Sequence, residues 1–300
     1  MPTRAIDLAL LGVAAVWGSS YLAIKEIATS DMVFAVLALR FALAAAVLAG
    51  VLSRRLRAIT PAELLSGAVG GLILGAVCVC ETYGVTRTSA SNAGMIMAVT
   101  IIVTPLLAHG GAATAVPPRF YIAGAAAVLG CGLLTQSGGL AVPGIGDTVV
   151  AVAALLRAVH VTTMARLSGC REIDPARTTL VQLVTVAAVS SALAEFCGQS
   201  VMGLATGMGR SDWLLIGYLA VACTVVAFLV QLRSLCAASP ARVSLLLGTE
   251  PLWAALVGIV IAGDAVTLTG AAGAALVMMG TGWGRVLLTS ACRIDARATA

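Results

Sequence analysis

The stretch AIDLALLGVAAVWGSSYLAIKEI, residues 5–27, decides how this chain folds. It is nearly unbroken apolar sequence of about 20 residues, the length that crosses a bilayer as a helix. Inside it stand Trp17, Gly18, Ser19, Ser20 and Tyr21 in a row, followed by Lys25, the only lysine of the chain. A simple anchor has no use for that cluster; the wall of a polar cavity does. The stretch also returns later, as IGDTVVAVAALLRAVHVTTMARL at 145–167, with Asp7 opposite Asp147 and Trp17 opposite Arg157.

Composition extends this reading to the whole chain. Hydrophobic residues make up 60% of the 300 positions, charged residues only 10%, and the mean hydropathy is +1.04. A soluble domain carries about a quarter charged residues, so the natural solvent here is lipid. Lipid leaves only helices or a closed barrel, and the long apolar runs do not alternate as barrel strands do. The expected fold class is therefore an all-α polytopic membrane protein. Ten spans are expected, at about 6–24, 32–52, 62–82, 91–109, 119–136, 147–167, 177–196, 212–232, 240–262 and 267–288. VPPR, PGIGD and RSDW mark three of the short breaks. The first span resembles a signal peptide in following Arg4, but it contains Asp7 and more spans follow, so it reads as a retained helix. The eight cysteines lie mostly within apolar runs and lack a paired CxxC pattern, which makes them small packing residues.

Charge placement orients the spans. With a cytoplasmic N-terminus, the inner segments hold Arg4, Arg54, Arg55, Arg57, Arg119, Arg166, Arg171, Arg177, Arg233, Arg242, Arg285, Arg293 and Arg297. The outer segments hold only Lys25, Arg87 and Arg210, while Arg40 and Arg157 fall within spans. That bias places both termini in the cytoplasm of a bacterial-type inner membrane. The net charge of +5 is then a matter of topology, and no nucleic-acid partner is expected.

The later part of each half repeats as well. SASNAGMIMAVTIIVTPLLA (89–108) matches AASPARVSLLLGTEPLWAAL (237–256) with a gap of two, Pro105 opposite Pro251. Each unit holds five spans, an odd number, so the second copy enters the membrane from the opposite side. Such inverted repeats underlie alternating access in secondary transporters. The expected division is 1–139 for the first unit, 140–290 for the second and 291–300 for a cytoplasmic tail.

VWGSSYLAIK, LRFALAAAVL (39–48), TSASNAGMIMAVTIIVTPLLA (88–108) and LLLGTEPLWAALVGIVIAGD (247–264) resemble the EamA-type proteins of the drug/metabolite transporter superfamily. The resemblance covers residues 6–288. It implies two five-helix bundles around a central cavity lined mainly by spans 1, 3, 4, 6, 8 and 9, with spans 5 and 10 peripheral. It also implies export of amino acids and related metabolites, or of drugs, nucleosides or sugars in other members. Arg157 departs from the aromatic or neutral residue more usual there.

Candidate site residues follow from polar groups in apolar surroundings. Gly18, Tyr21 and Lys25 share one helical face, flanked by Trp17 and Ser20, with Trp17 roughly 12 Å from Lys25 along the axis. This face reads as a cavity wall with Gly18 leaving room, or as a close-packing surface of small residues. Arg40, Arg157 and Glu250 sit well inside spans, where an arginine costs about 2.5–3.5 kcal/mol on insertion scales, so they should face the interior and find partners. An Arg157–Glu250 pair is one arrangement. Arg157 as ligand of a substrate carboxylate and Glu250 as a proton carrier are others, with His160 one turn from Arg157 able to join either. Ser91 and Asn92 before the fourth span, and Ser239 followed by Pro240 before the ninth, read as helix caps on opposite sides of the membrane. Such helix starts can receive a carboxylate. Glu81 and Tyr83 end the third span beside the outer vestibule. Lys25, Arg40, Glu81 and Ser239 are the gating or coupling candidates. Gly67, Gly71 and Gly75 form a packing ladder.

The expected function is secondary export of small metabolites, aromatic or neutral amino acids first, by alternating access. Multidrug, nucleoside or cationic-compound efflux is the alternative, and an intramembrane enzyme the weaker one. GIGD at 144–147 superficially matches an aspartyl-protease motif, but no span offers the second aspartate. There is no phosphate-binding GxxxxGK[ST] loop and no HExxH, so neither ATP hydrolysis nor a metal or other cofactor is expected. The expected partners are a small-molecule substrate and the bilayer. A monomer suffices, and a homodimer stays open.

Overall fold

The computed structural model describes residues 3–88, 90–108, 116–135, 144–168, 173–257, 259–260 and 267–298, and every regular element among them is helical. In chain order these are α1 (Thr3–Ile27), α2 (Val33–Val51), α3 (Pro61–Val85), α4 (Ala90–Met97), α5 (Thr100–Ala108), α6 (Pro118–Thr135) and α7 (Ile145–Ser168). They continue with α8 (Pro175–Phe196), α9 (Val201–Gly207), α10 (Arg210–Ala220), α11 (Ala227–Leu235), α12 (Pro240–Leu247), α13 (Glu250–Val257) and α14 (Leu268–Ala298). A short 3₁₀ turn, Ser53–Ala58, follows α2, and a π-helical turn, Val221–Val226, joins α10 to α11. Seven helices of the described residues are long and apolar enough to cross a membrane, α10 through α11 counting as one. Arg171 and Cys170 fall outside the described residues, as do the side chains of Ser91, Arg55, Arg57, Arg293, Arg297 and Cys292.

Local chemistry sets the helix starts. Thr60 caps α3: its side chain accepts from the Glu63 amide, Glu63 returns a bond to the Thr60 amide, and Pro61 opens the first turn. Asp174 before Pro175 starts α8, and Ser239 before Pro240 starts α12. Glu63, fully buried, also accepts from the Asp174 amide and from Arg177, whose Nη2 lies 2.6 Å away. One carboxylate thereby ties the starts of α3 and α8 together. Above that tie the glycine ladder lets the two helices touch. A β-carbon at Gly67 would come within 2.5 Å of Val181, and one at Gly71 within 2.6 Å of Thr185.

The expected fourth and ninth spans are each broken in the middle. α4 stops at Met97 and α5 begins at Thr100; α12 stops at Leu247 and α13 begins at Glu250. Matched on these breaks, Thr100 stands opposite Glu250 and Ile101 opposite Pro251. The register with a gap of two, which pairs Pro105 with Pro251, therefore gives way to an ungapped one. The broken helices cross antiparallel to each other. Gly94 faces Pro251, and Gly248 is pressed onto Ile101, whose Cγ1 a β-carbon there would meet at 2.2 Å. Ser91 and Asn92 lie inside the first turn of α4, which begins at Ala90, so they are not its cap. The last helix runs on as far as Ala298, beyond the expected end of its span.

Large apolar side chains point outward all around, among them Leu65, Leu129, Leu155, Val159 and Met278. Such a surface is unfavourable in water and suited to lipid. The buried set is mostly apolar as well, but it also takes in most of the charged groups of the spans. It contains Asp7, Arg40, Glu63, Glu81, His160, Gln182, Gln231 and Glu250. An apolar exterior with charged groups drawn inside defines a chain folded for a bilayer.

Candidate transport site

The centre of the molecule is built around Arg157 of α7. Its Nη2 lies 2.7 Å from Glu81 Oε2 on α3, and its Nη1 lies 3.8 Å from Glu250 Oε2, the first residue of α13. Its guanidinium stacks over the Trp17 ring at 4.6 Å. Trp17 in turn packs at 5.5 Å on Phe228, and its Nε1 donates to the Cys223 carbonyl at 2.8 Å. That carbonyl belongs to the π-helical turn, where the wider winding turns a backbone acceptor toward α1. The same turn aims the Thr224 hydroxyl at Arg40, whose Nε donates to it at 2.9 Å. Arg40 is 7% exposed, and no carboxylate of the described residues lies within ion-pair distance of it.

Two small chambers flank Arg157. One is lined by Trp17, Ser20, Arg40, Cys78, Glu81 and Phe228, the other by Thr100, Thr104, Ser244, Gly248 and Glu250, with Arg157 belonging to both. Their volumes, about 20 and 10 Å³, leave room for roughly one water each. The first holds two guanidinium groups and one carboxylate, and the second one of each. The centre therefore offers a cationic and an anionic pole side by side. Tyr21 Oη faces the buried Glu250 carboxylate and interacts with it, although neither Tyr21 Oη nor Glu250 Oε1 reaches ordinary hydrogen-bond geometry with any described residue. The Thr104 hydroxyl is likewise buried and unpartnered. Groups of this kind are costly to leave unpaired, and the chamber that Thr104 and Glu250 line has room for about one water to serve them.

The structure places the remaining sequence candidates as follows. Gly18 leaves room for α13 rather than for a ligand, since a β-carbon there would strike the Glu250 carbonyl at 2.6 Å. Ser20 lines the first chamber while donating to the Trp17 carbonyl. His160 is not joined to the Arg157 cluster; it pairs at 2.9 Å with Gln182 in a third pocket beside Met164 and Gln231. Lys25 lies exposed at the end of α1, and Tyr83 carries the Arg87 guanidinium on its ring, so neither reaches the chambers. Ser239 acts as the cap of α12. Sequence reasoning missed Thr104, Phe228, Cys78 and the π-turn pair Cys223 and Thr224. None carries a charge, and in an apolar span each reads as ordinary packing.

The two ends of the molecule are latched by aspartates that match in the sequence. At one end Asp7 binds Arg242 through both oxygens at 2.9 Å, and Arg285 reaches Asp7 Oδ2 at 2.6 Å. At the opposite end Asp147 accepts from Thr88 and lies against Asn92. In the break-matched register Asn92 stands opposite Arg242. Each aspartate thus opens a long helix in one half and holds the start of the broken helix of the other.

These features define a polytopic helical membrane protein with a charged polar centre buried between its helices, the anatomy of a membrane transporter. The EamA-like transporter family matches this chain twice, over residues 4–136 and 144–283, and the chain belongs to that family. A solved crystal structure superposes with a TM-score of 0.75 over 96% of this chain and 98% of its own, at 16% sequence identity. At that identity the likeness concerns the fold alone. No curated protein matches the sequence significantly.

Proposed function

We propose that this protein is a secondary transporter of a bacterial-type inner membrane that exports small metabolites, amino acids with aromatic or neutral side chains first among them, by alternating access. In this reading the chain crosses the membrane ten times as two inverted five-span repeats, with both termini cytoplasmic, the broken α4–α5 and α12–α13 pairs each making one crossing. A monomer suffices. The observation that carries the reading is the pair of poles around Arg157. A zwitterion brings a carboxylate to the Arg40–Arg157 chamber and an ammonium group to Glu250, while its side chain lies on Trp17 and Phe228. Arg157 is already held by Glu81, so Arg40, which has no carboxylate of the described residues within ion-pair distance, becomes the first contact for the substrate anion.

Sidedness supports export. With the N-terminus inside, a gap of about 220 Å³ between α1 and α11, lined by Ile6, Ala9, Val230, Arg233, Ser234 and Ala237, lies at the cytoplasmic end. The outer end is shut, because Gly84 on α3 meets Val150 and Gly146 on α7 with no space for a β-carbon. The substrate then loads from the cytoplasm.

A second reading is efflux of aromatic cations, favoured by the buried Glu250 carboxylate lying beside Tyr21 and only at 3.8 Å from Arg157. The test is counterflow in proteoliposomes with labelled L-phenylalanine, L-alanine, uridine and tetraphenylphosphonium. Exchange of the amino acids, lost in Arg40→Gln, is the expected result. Exchange of tetraphenylphosphonium alone would replace the amino-acid reading with the drug-efflux one.

A further inference from the structure

Phe228 is a wall with two sides. One side closes the Arg40–Arg157 chamber; the other closes the third pocket, whose polar lining is His160 on α7, Gln182 on α8 and Gln231 on α11. His160 follows Arg157 by three residues and Gln231 follows Phe228 by three, so each lies roughly 4.5 Å further toward the Asp7 end. Gly70 on α3 makes room for the pocket, because a β-carbon there would strike Met164 Sδ at 2.5 Å and stand 3.1 Å from Gln182 Oε1. His160 Nε2 and Gln182 Oε1 occupy each other at 2.9 Å. Gln231 is different. It is 2% exposed, and its carboxamide has no hydrogen-bond partner among the described residues. An amide left that way inside an apolar helix is costly. The space before it, about 10 Å³, takes one water-sized group. No carboxylate, lysine or arginine lines that space, so a charged group would find no counter-charge there.

We propose that this pocket is a side-chain subsite of the transport centre, built to take the uncharged hydrogen-bonding tip of a substrate, a hydroxyl or a carboxamide. The subsite rests on the transport reading of the Arg157 centre, in which the substrate's side chain lies on Trp17 and Phe228. A side chain that runs past the Phe228 ring and ends in a polar atom arrives at Gln231, one turn on. A phenol meets the Gln231 amide with its hydroxyl. A phenyl ring leaves that amide unmet and gains nothing beyond Phe228. Because the space admits one small group and no second ring, it sorts side chains by their tips rather than by their bulk. The substrate class narrows accordingly to amino acids such as tyrosine or glutamine, ahead of phenylalanine or alanine.

Counterflow of L-tyrosine and of L-phenylalanine in proteoliposomes tests the subsite. In the wild type the half-saturating concentration of tyrosine should lie about tenfold or more below that of phenylalanine. Gln231→Met keeps nearly the same shape and suits an apolar helix better, so it should insert and fold. It should bring the two half-saturating concentrations to within about twofold of each other, whatever it does to the absolute rates. Equal half-saturation in the wild type overturns the subsite, the pocket then being a place for one water, and leaves transport standing. A tyrosine preference that survives in Gln231→Met overturns it as well. Exchange of uridine or tetraphenylphosphonium with neither amino acid overturns the amino-acid reading and the subsite with it.

Discussion

At one end of the molecule α3 lies on α7 so closely that a β-carbon at Gly84 would come within 2.5 Å of Val150, and one at Gly146 within 2.7 Å of the Arg87 backbone. At the other end the matching seam, α11 on α1, stands open around about 220 Å³. The residues correspond: Ser234 stands where Gly84 does, Ile6 where Gly146 does, and Ala237 where Arg87 does. The same architecture has been given glycines at one seam and larger side chains at the other. Ser234 and Ile6 keep the second seam from closing as tightly as the first. In this structure the Asp147 end is the sealed one, and in the proposed alternating-access cycle switching would trade a glycine contact for a looser one.

The latches differ in the same sense. Asp7 is held by two arginines, Asp147 by a hydroxyl and an amide. The open seam thus carries a latch of ion pairs, and the closed seam a carboxylate held by uncharged donors. A strong polar tie at α12 and α14 offsets the looser fit between α1 and α11 at that end.

The largest expected effect comes from the centre that both seams share. Arg157→Ala leaves Glu81 and Glu250 without their cation, a loss of about 3–5 kcal/mol for a broken buried pair, and counterflow should fall by about a hundredfold or more. Near-normal counterflow would mean that the two seams do not lead to one centre. Next, Gly84→Val overpacks the closed seam at a cost of about 1–3 kcal/mol. A cysteine placed at Val150 in a background without the native cysteines should then react with an impermeant maleimide at least several-fold faster. An unchanged rate would show that the glycine contact is not the seal.

The latches come third. Asp7→Asn and Asp147→Asn both lose hydrogen bonds to a charged carboxylate, worth about 1.5–3 kcal/mol each. Asp7→Asn also leaves Arg242 and Arg285 without their counter-charge, which Asp147→Asn does to no cation of the described residues. Thermal unfolding in detergent should fall further for Asp7→Asn, and equal shifts would erase the contrast. The smallest effect belongs to Ala9→Leu, which adds volume to the open gap without striking packed backbone. It should leave thermal stability within about 0.5 kcal/mol and slow counterflow by no more than a few-fold. A drop in stability as large as that of Gly84→Val would show the two seams to be equally tight.

The helices were legible in the sequence because bilayer thickness dictates apolar run length. The span expected at 177–196 is Pro175–Phe196, and that at 119–136 is Pro118–Thr135. The breaks at Ala98–Val99 and Gly248–Thr249 were not legible, since neither is marked by proline; Pro105 and Pro251 lie beyond them, within α5 and α13. Arg40, Arg157 and Glu250 could be singled out because a charge in an apolar run is anomalous wherever the run packs. Glu81 was placed in a vestibule because it stands near a helix end. Its role as the closest partner of Arg157 depends on which way α3 faces, and no periodicity records that. Lys25 and Tyr83 were equally conspicuous, and they turn away.

What the sequence determined by itself is the solvent, the helices and the repetition of one half by the other, because hydropathy and run length are properties of single segments. What only the tertiary structure decided is who meets whom: Glu81 rather than Glu250 closest to Arg157, α13 rather than a ligand against Gly18, and one seam shut while its counterpart is open. Those are relations between helices distant in the chain. They are fixed by whether a β-carbon or a guanidinium fits between two surfaces, and that question has no answer until both surfaces are in place.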